Sequence, residues 1–184
     1  IGSVLEHWPR EQVVKCLIYY HPDDVPERRQ AQENQVRTLC EACNESGHEL
    51  MLELIPARDL PERDDTIVRI MARFYDLGVH PDWWKLPPQK PEQWQRIDEL
   101  IVTHDPYCRG VVVLGHHVPI AQMIESFGPA SRSRTCCGFA VGRSIFHDPA
   151  RAWLQDEIDD EQLVERCCHH LEQLIRAWKT FRAD

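Results

Sequence analysis

Short apolar runs alternate with longer amphipathic ones along this chain. Residues 13–20 are β-branched and aromatic and end at His21-Pro22-Asp23-Asp24, the pattern of a buried strand followed by a turn. From about 25 to 46 the composition turns helical, and Gly47 is the expected stop. The alternation recurs, with strands predicted at 49–55, 82–86, 110–114 and 137–141. Helices are predicted at 61–77 (closed by Gly78), 91–103, 119–127, 143–155 and 159–182. Strands alternating with helices imply parallel βα units of an α/β fold. A closed (β/α)8 barrel needs eight such units, whereas five could also form an open doubly wound sheet. Periodicity leaves both architectures open. No internal repeat, low-complexity tract or Gly/Ser linker divides residues 1–184, so one domain is expected.

Composition narrows the function classes. With 21 basic against 30 acidic residues the formal charge is −9, which argues against a broad nucleic-acid footprint. The 42% hydrophobic and 28% charged content is that of a globular chain. The apolar runs, such as 111–114, fall far short of the ~20 residues a membrane span needs. The start, Ile1 to Pro9, lacks the charged-then-apolar pattern of a signal peptide and carries no initiator Met, as expected of a piece of a longer chain or a processed product. The eight cysteines are sparse for a disulfide scaffold, and Cys136-Cys137 and Cys167-Cys168 are poorly placed to bridge each other. Reduced thiols in a cytoplasmic protein are expected.

The chemistry is concentrated in a few unusual positions. Of the four lysines, Lys15 and Lys85 fall inside predicted strands. Removing an unpaired ammonium from water is costly, and burial beside another cation favours a neutral amine able to attack a carbonyl. The bland alternative is that each lysine snorkels to solvent or pairs with an acid. Glu53, flanked by apolar residues in its own strand, needs a partner or a general acid/base role, and a salt bridge to Lys15 or an arginine is the competing reading. Strand alternation puts Trp83 on the face of Lys85. After the last strand, Gly142 and Arg143 open a helix, a combination that suits an anion. Gly115, with His116 and His117, ends the preceding strand and could supply the other half of a phosphate site. A rival metal reading pairs Cys40 and Cys43 with Cys167, Cys168, His169 and His170. Cys40 and Cys43 lie in a helical pattern without a glycine-rich knuckle, so buried helix thiols, surface histidines and no metal are expected.

These segments, KCLIYYHPDD (15–24), GHELMLELIP (47–56), GVHPDWWKL (78–86), DPYCRGVVVLG (105–115) and GFAVGRSIF (138–146), with DDEQLVERCC (159–168) as a weaker match, resemble one family. It is the aldolase-like domain of unknown function fused behind the sugar kinase of bacterial myo-inositol catabolism, the 5-dehydro-2-deoxygluconokinase. That domain in turn looks like the class I tagatose-bisphosphate aldolases, which are (β/α)8 barrels. The resemblance implies that Lys85 is the Schiff-base lysine, Glu53 the acid/base carboxylate and Lys15 a second active-site lysine. Gly142 and Arg143 would form the phosphate-binding turn. It implies cleavage of 2-deoxy-5-keto-gluconate 6-phosphate to dihydroxyacetone phosphate and malonate semialdehyde, with no cofactor because the protonated imine is the electron sink. The alternative on the same scaffold is a non-catalytic phosphosugar-binding or regulatory domain of a carbohydrate kinase. The chain departs from the family's pattern at Pro87, where an acid is expected, at His116-His117, and in holding five units of eight. Unpaired strand edges then favour pairing with the remaining barrel units of a parent chain, or a homo-oligomer. The expected partners are thus a phosphorylated keto-sugar acid and a kinase domain, with no nucleic acid and no membrane.

Overall fold

The structure, a computed structural model, describes residues 2–115 and 118–183; His116 and His117, expected to join Gly115 at a phosphate site, lie outside the described residues. After a short helix α1 (Gly2–Leu5), five strands alternate with helices: β1 (Val14–Tyr20), α2 (Pro26–Ser46), β2 (Leu50–Pro56), α3 (Thr66–Asp76), β3 (Trp83–Leu86), α4 (Pro91–His104), β4 (Gly110–Leu114), α5 (Ile120–Ser131), β5 (Cys136–Ala140), α6 (Arg143–Leu154) and α7 (Asp160–Ala183). All five strands are parallel and lie in the order β1-β2-β3-β4-β5.

That order settles the architecture. A doubly wound sheet reverses direction at a switch point; here each crossover steps the same way across the sheet, and crossovers of one hand then keep their helices on one face. The fold is the arrangement of part of a (β/α)8 barrel. On the helix-covered face of the sheet, Leu50, Leu52, Leu54, Trp84, Leu86, Val111 and Val113 meet Phe74, Trp94, Ile97 and Phe127 from the helices, all of them buried. The other face is open and carries Lys15, Leu17 and Tyr19 of β1, with Glu53, Lys85 and Val112 in line beside Leu17.

Sequence signals place most boundaries. Pro26 starts α2 at a position where its missing N–H costs nothing. Gly47 closes it in the left-handed conformation at φ 73°, while His48 N–H donates to Cys43 O at 3.0 Å. Two predicted helix ends shift. The helix expected from 61 begins at Thr66, because the Thr66 hydroxyl accepts the Arg63 N–H (2.8 Å) and Lys90 holds Asp64 (2.7 Å) outside the helix. The helix expected to end at 127 runs on through Gly128 and Pro129 to Ser131. Packing overrides those breakers: Phe127 stacks on Phe139 and meets Trp178 edge-on, and Gly128 leaves room for Phe181.

Cys40 and Cys43 are buried in α2, whereas Cys167 and His170 belong to α7, and no group of three or more metal-ligating side chains able to hold an ion occurs among the described residues. His170 is half-buried rather than a surface histidine, and its Nδ1 donates to Ile145 O at 2.7 Å. All eight cysteines are free thiols. Among the described residues no helix is long and apolar enough to cross a membrane.

Candidate functional site

The open face gathers the chemistry. Glu53 and Lys85 sit directly opposite one another on β2 and β3, in one transverse row that runs Leu17, Glu53, Lys85, Val112, Gly138 across the five strands. Lys15 lies two residues before Leu17 and reaches forward to the same carboxylate. Its Nζ donates to Glu53 Oε2 at 2.8 Å, while Lys85 Nζ stands 3.4 Å from Oε1. Glu53 is thus shared by both lysines, one on each oxygen. Its side chain is 8% exposed and that of Lys85 16%, whereas Lys15 is 46% exposed at the edge strand. Of the two readings the sequence left open for Glu53, the salt bridge to Lys15 is present, and Lys85 shares the same carboxylate.

A bulge shapes the opposite wall. Val111 pairs with Cys136 but Val112 pairs with Gly138, so Cys137 is an extra residue and the side-chain alternation of β5 is reset. Gly138 and Ala140 therefore face the open side, where their small size leaves space, and Phe139 turns to the core against Phe127. The chain then passes Gly142 into the amino end of α6, with Arg143 as its first residue. Beneath this wall Asp98 fixes the entry to β5, accepting hydrogen bonds from Ser133 Oγ (2.7 Å), Thr135 Oγ1 (2.6 Å) and Arg134 N (2.9 Å).

Lys15, Glu53, Lys85, Gly115, Gly142 and Arg143 all line a single cleft of about 280 Å³. Gly115 is there because β4 and the β5–α6 turn approach so closely that a Cβ would lie 2.9 Å from both Ser144 Oγ and Val141 Cγ1. The Ser144 Oγ is buried without a hydrogen-bond partner among the described residues. The cleft offers three cations against one carboxylate, plus the first amides of α6, in a chain of net charge −9. Such a site attracts an anion. Trp83, on the same face as Lys85, turns its Nε1 to Glu49 at 2.7 Å and is held for packing.

Among the cleft residues that sequence reading did not single out are Tyr19, Ser144 and Phe146. For Tyr19 the signal was present, since a strand residue four beyond Lys15 shares its face. No local pattern marks Ser144 or Phe146, whose places follow from the path of α6.

A model of one protein family, described as an uncharacterized protein conserved in bacteria (DUF2090), matches residues 1–182. No curated protein sequence matches the chain.

Proposed function

Taking as premise that the chain belongs to this uncharacterized bacterial family, we propose that it is a Schiff-base aldolase domain acting on a phosphorylated keto-sugar acid. The observation that carries the reading is Glu53, buried and shared between Lys15 and Lys85 in a cleft whose far wall is a helix amino end with Arg143. The substrate proposed is 2-deoxy-5-keto-gluconate 6-phosphate, from the family resemblance of the motifs that supply these residues.

The amine of Lys85 adds to the ketone carbon and, on loss of water, forms a protonated imine. Glu53 takes the proton of the hydroxyl two carbons away. The bond between that hydroxyl-bearing carbon and the carbon next to the imine breaks, its electron pair moving toward the imine nitrogen as an enamine while the hydroxyl carbon leaves as an aldehyde. Glu53 returns the proton to the enamine carbon, and water hydrolyses the imine to free Lys85 and dihydroxyacetone phosphate. Lys15 steadies the carboxylate and developing negative oxygen, and Arg143 with the α6 amides holds the phosphate.

A second reading has its own support. A lysine paired with a carboxylate, as Lys85 is with Glu53, binds anions without acting as a nucleophile, which suits a non-catalytic phosphosugar-binding domain serving a kinase. Under either reading the free outer edges of β1 and β5 support completion by further parallel units or another copy. Lys85→Ala separates the readings: it should abolish cleavage while the fold, followed by circular dichroism, is kept. Full activity in that variant would contradict the aldolase assignment.

A further inference from the structure

The cleft also holds a tyrosine to which the mechanism above gives no task. Adjacent tyrosines end β1, and the strand turns them to opposite faces. Tyr20 is fully buried, its hydroxyl donating to Glu33 at 2.6 Å and its ring against Phe74 at 5.2 Å between centroids. That anchor fixes the strand end and forces Tyr19 onto the open face. Gln32 adds a second tether, donating from Nε2 to the Tyr19 carbonyl at 2.6 Å. The Tyr19 side chain lines the cleft with Lys15, Glu53 and Lys85, and its hydroxyl has no partner among the described residues. Tyr75, by contrast, accepts the Trp84 indole N–H at 2.8 Å. Tyr19 is paired with Ile55, so it stands one step nearer the carboxyl ends of the strands than the row of Glu53 and Lys85.

Sheet order then assigns the two halves of a bound substrate. Lys85 is on β3, with the anion-binding turn two strands away after β5 and Tyr19 two strands away on β1. At about 4.8 Å per strand, each lies roughly 10 Å along the sheet from the lysine, on opposite sides. A chain joined to Lys85 with its phosphate at Arg143 therefore sends its other half, the one released as an aldehyde, toward β1. We propose that Tyr19 is a substrate-contacting residue for that half, its phenol donating a hydrogen bond to the oxygen on the carbon that becomes the aldehyde, so that it sets affinity for the aldehyde and not for the retained phosphate half. This rests on the aldolase reading.

The test runs the reaction in the condensing direction with dihydroxyacetone phosphate and malonate semialdehyde, on the full chain and on Tyr19→Phe. Loss of one such hydrogen bond should raise KM for the aldehyde about tenfold. Borohydride trapping of dihydroxyacetone phosphate on Lys85 should stay unchanged, which also shows that the variant is folded. An unchanged KM for the aldehyde, or an equal loss of trapping, would overturn the assignment of Tyr19 while leaving the Schiff base standing. Failure of the unsubstituted chain to be trapped at all would instead sink the aldolase reading, and this inference with it.

Discussion

At the scale of single residues, the cysteines range from buried through half-buried to exposed. Burial pushes the thiol of Cys43 up to about 11 and those of Cys108 and Cys136 to about 12, whereas Cys137 and Cys168 are exposed. A thiolate, not a thiol, attacks an alkylating reagent. Iodoacetamide at about pH 8 should therefore modify Cys137 and Cys168 first, and Cys43, Cys108 and Cys136 only on unfolding. Peptide mass mapping after timed quenching reads this, and early labelling of Cys136 would contradict the packing of β5. The candidate site residues stood out at this scale because lysine and glutamate are conspicuous inside apolar strands. The salt bridge of Glu53 to Lys15 was one reading of the sequence; that the same carboxylate also serves Lys85 depends on the register of β2 on β3, which local pattern does not encode. Tyr19 was overlooked because a tyrosine in a strand is ordinary packing until its neighbour is seen to take the core.

Among the elements, α2 and α3 are tied together by a charged hinge of three residues. Arg73 of α3 donates from Nε and Nη2 to the two oxygens of Glu33 of α2, each at 2.9 Å, and Tyr20 of β1 donates to the same carboxylate. The Arg73 hydrogen bonds hold the Glu33 carboxyl below its ordinary value; burial opposes them and the Tyr20 hydrogen bond assists. A folded value below the unfolded one means stability that is present above the unfolded value and lost as pH falls through the folded one. The melting temperature should thus fall more steeply between about pH 5 and pH 3 in the natural chain than in Glu33→Gln, which has no such charge to lose. Parallel slopes in the two proteins would show that the pair does not contribute. The elements themselves were largely written in the sequence, since β-branched runs and proline or glycine boundaries fix them locally. The exceptions have tertiary causes. Packing of Phe127 between Phe139 and Trp178 carries α5 through Gly128 and Pro129, and the bulge at Cys137 is set by pairing with β4.

For the whole molecule, the choice between a partial barrel and a doubly wound sheet depended on strand order, which local pattern does not encode. The sequential order leaves one face of the sheet free of crossover helices, and that open face is where the two strand lysines, Glu53 and the α6 amino end converge. A chain carrying nine excess negative charges overall concentrates three cations in this one cleft. Under the proposed function this convergence makes Lys85 a nucleophile toward a keto-phosphate. Borohydride reduction in the presence of dihydroxyacetone phosphate, followed by peptide mass mapping of folded chain, addresses it most directly. A reduced adduct on Lys85 and none on Lys15 is the expected result. A folded chain that gives no adduct, or one on Lys15 alone, would contradict it.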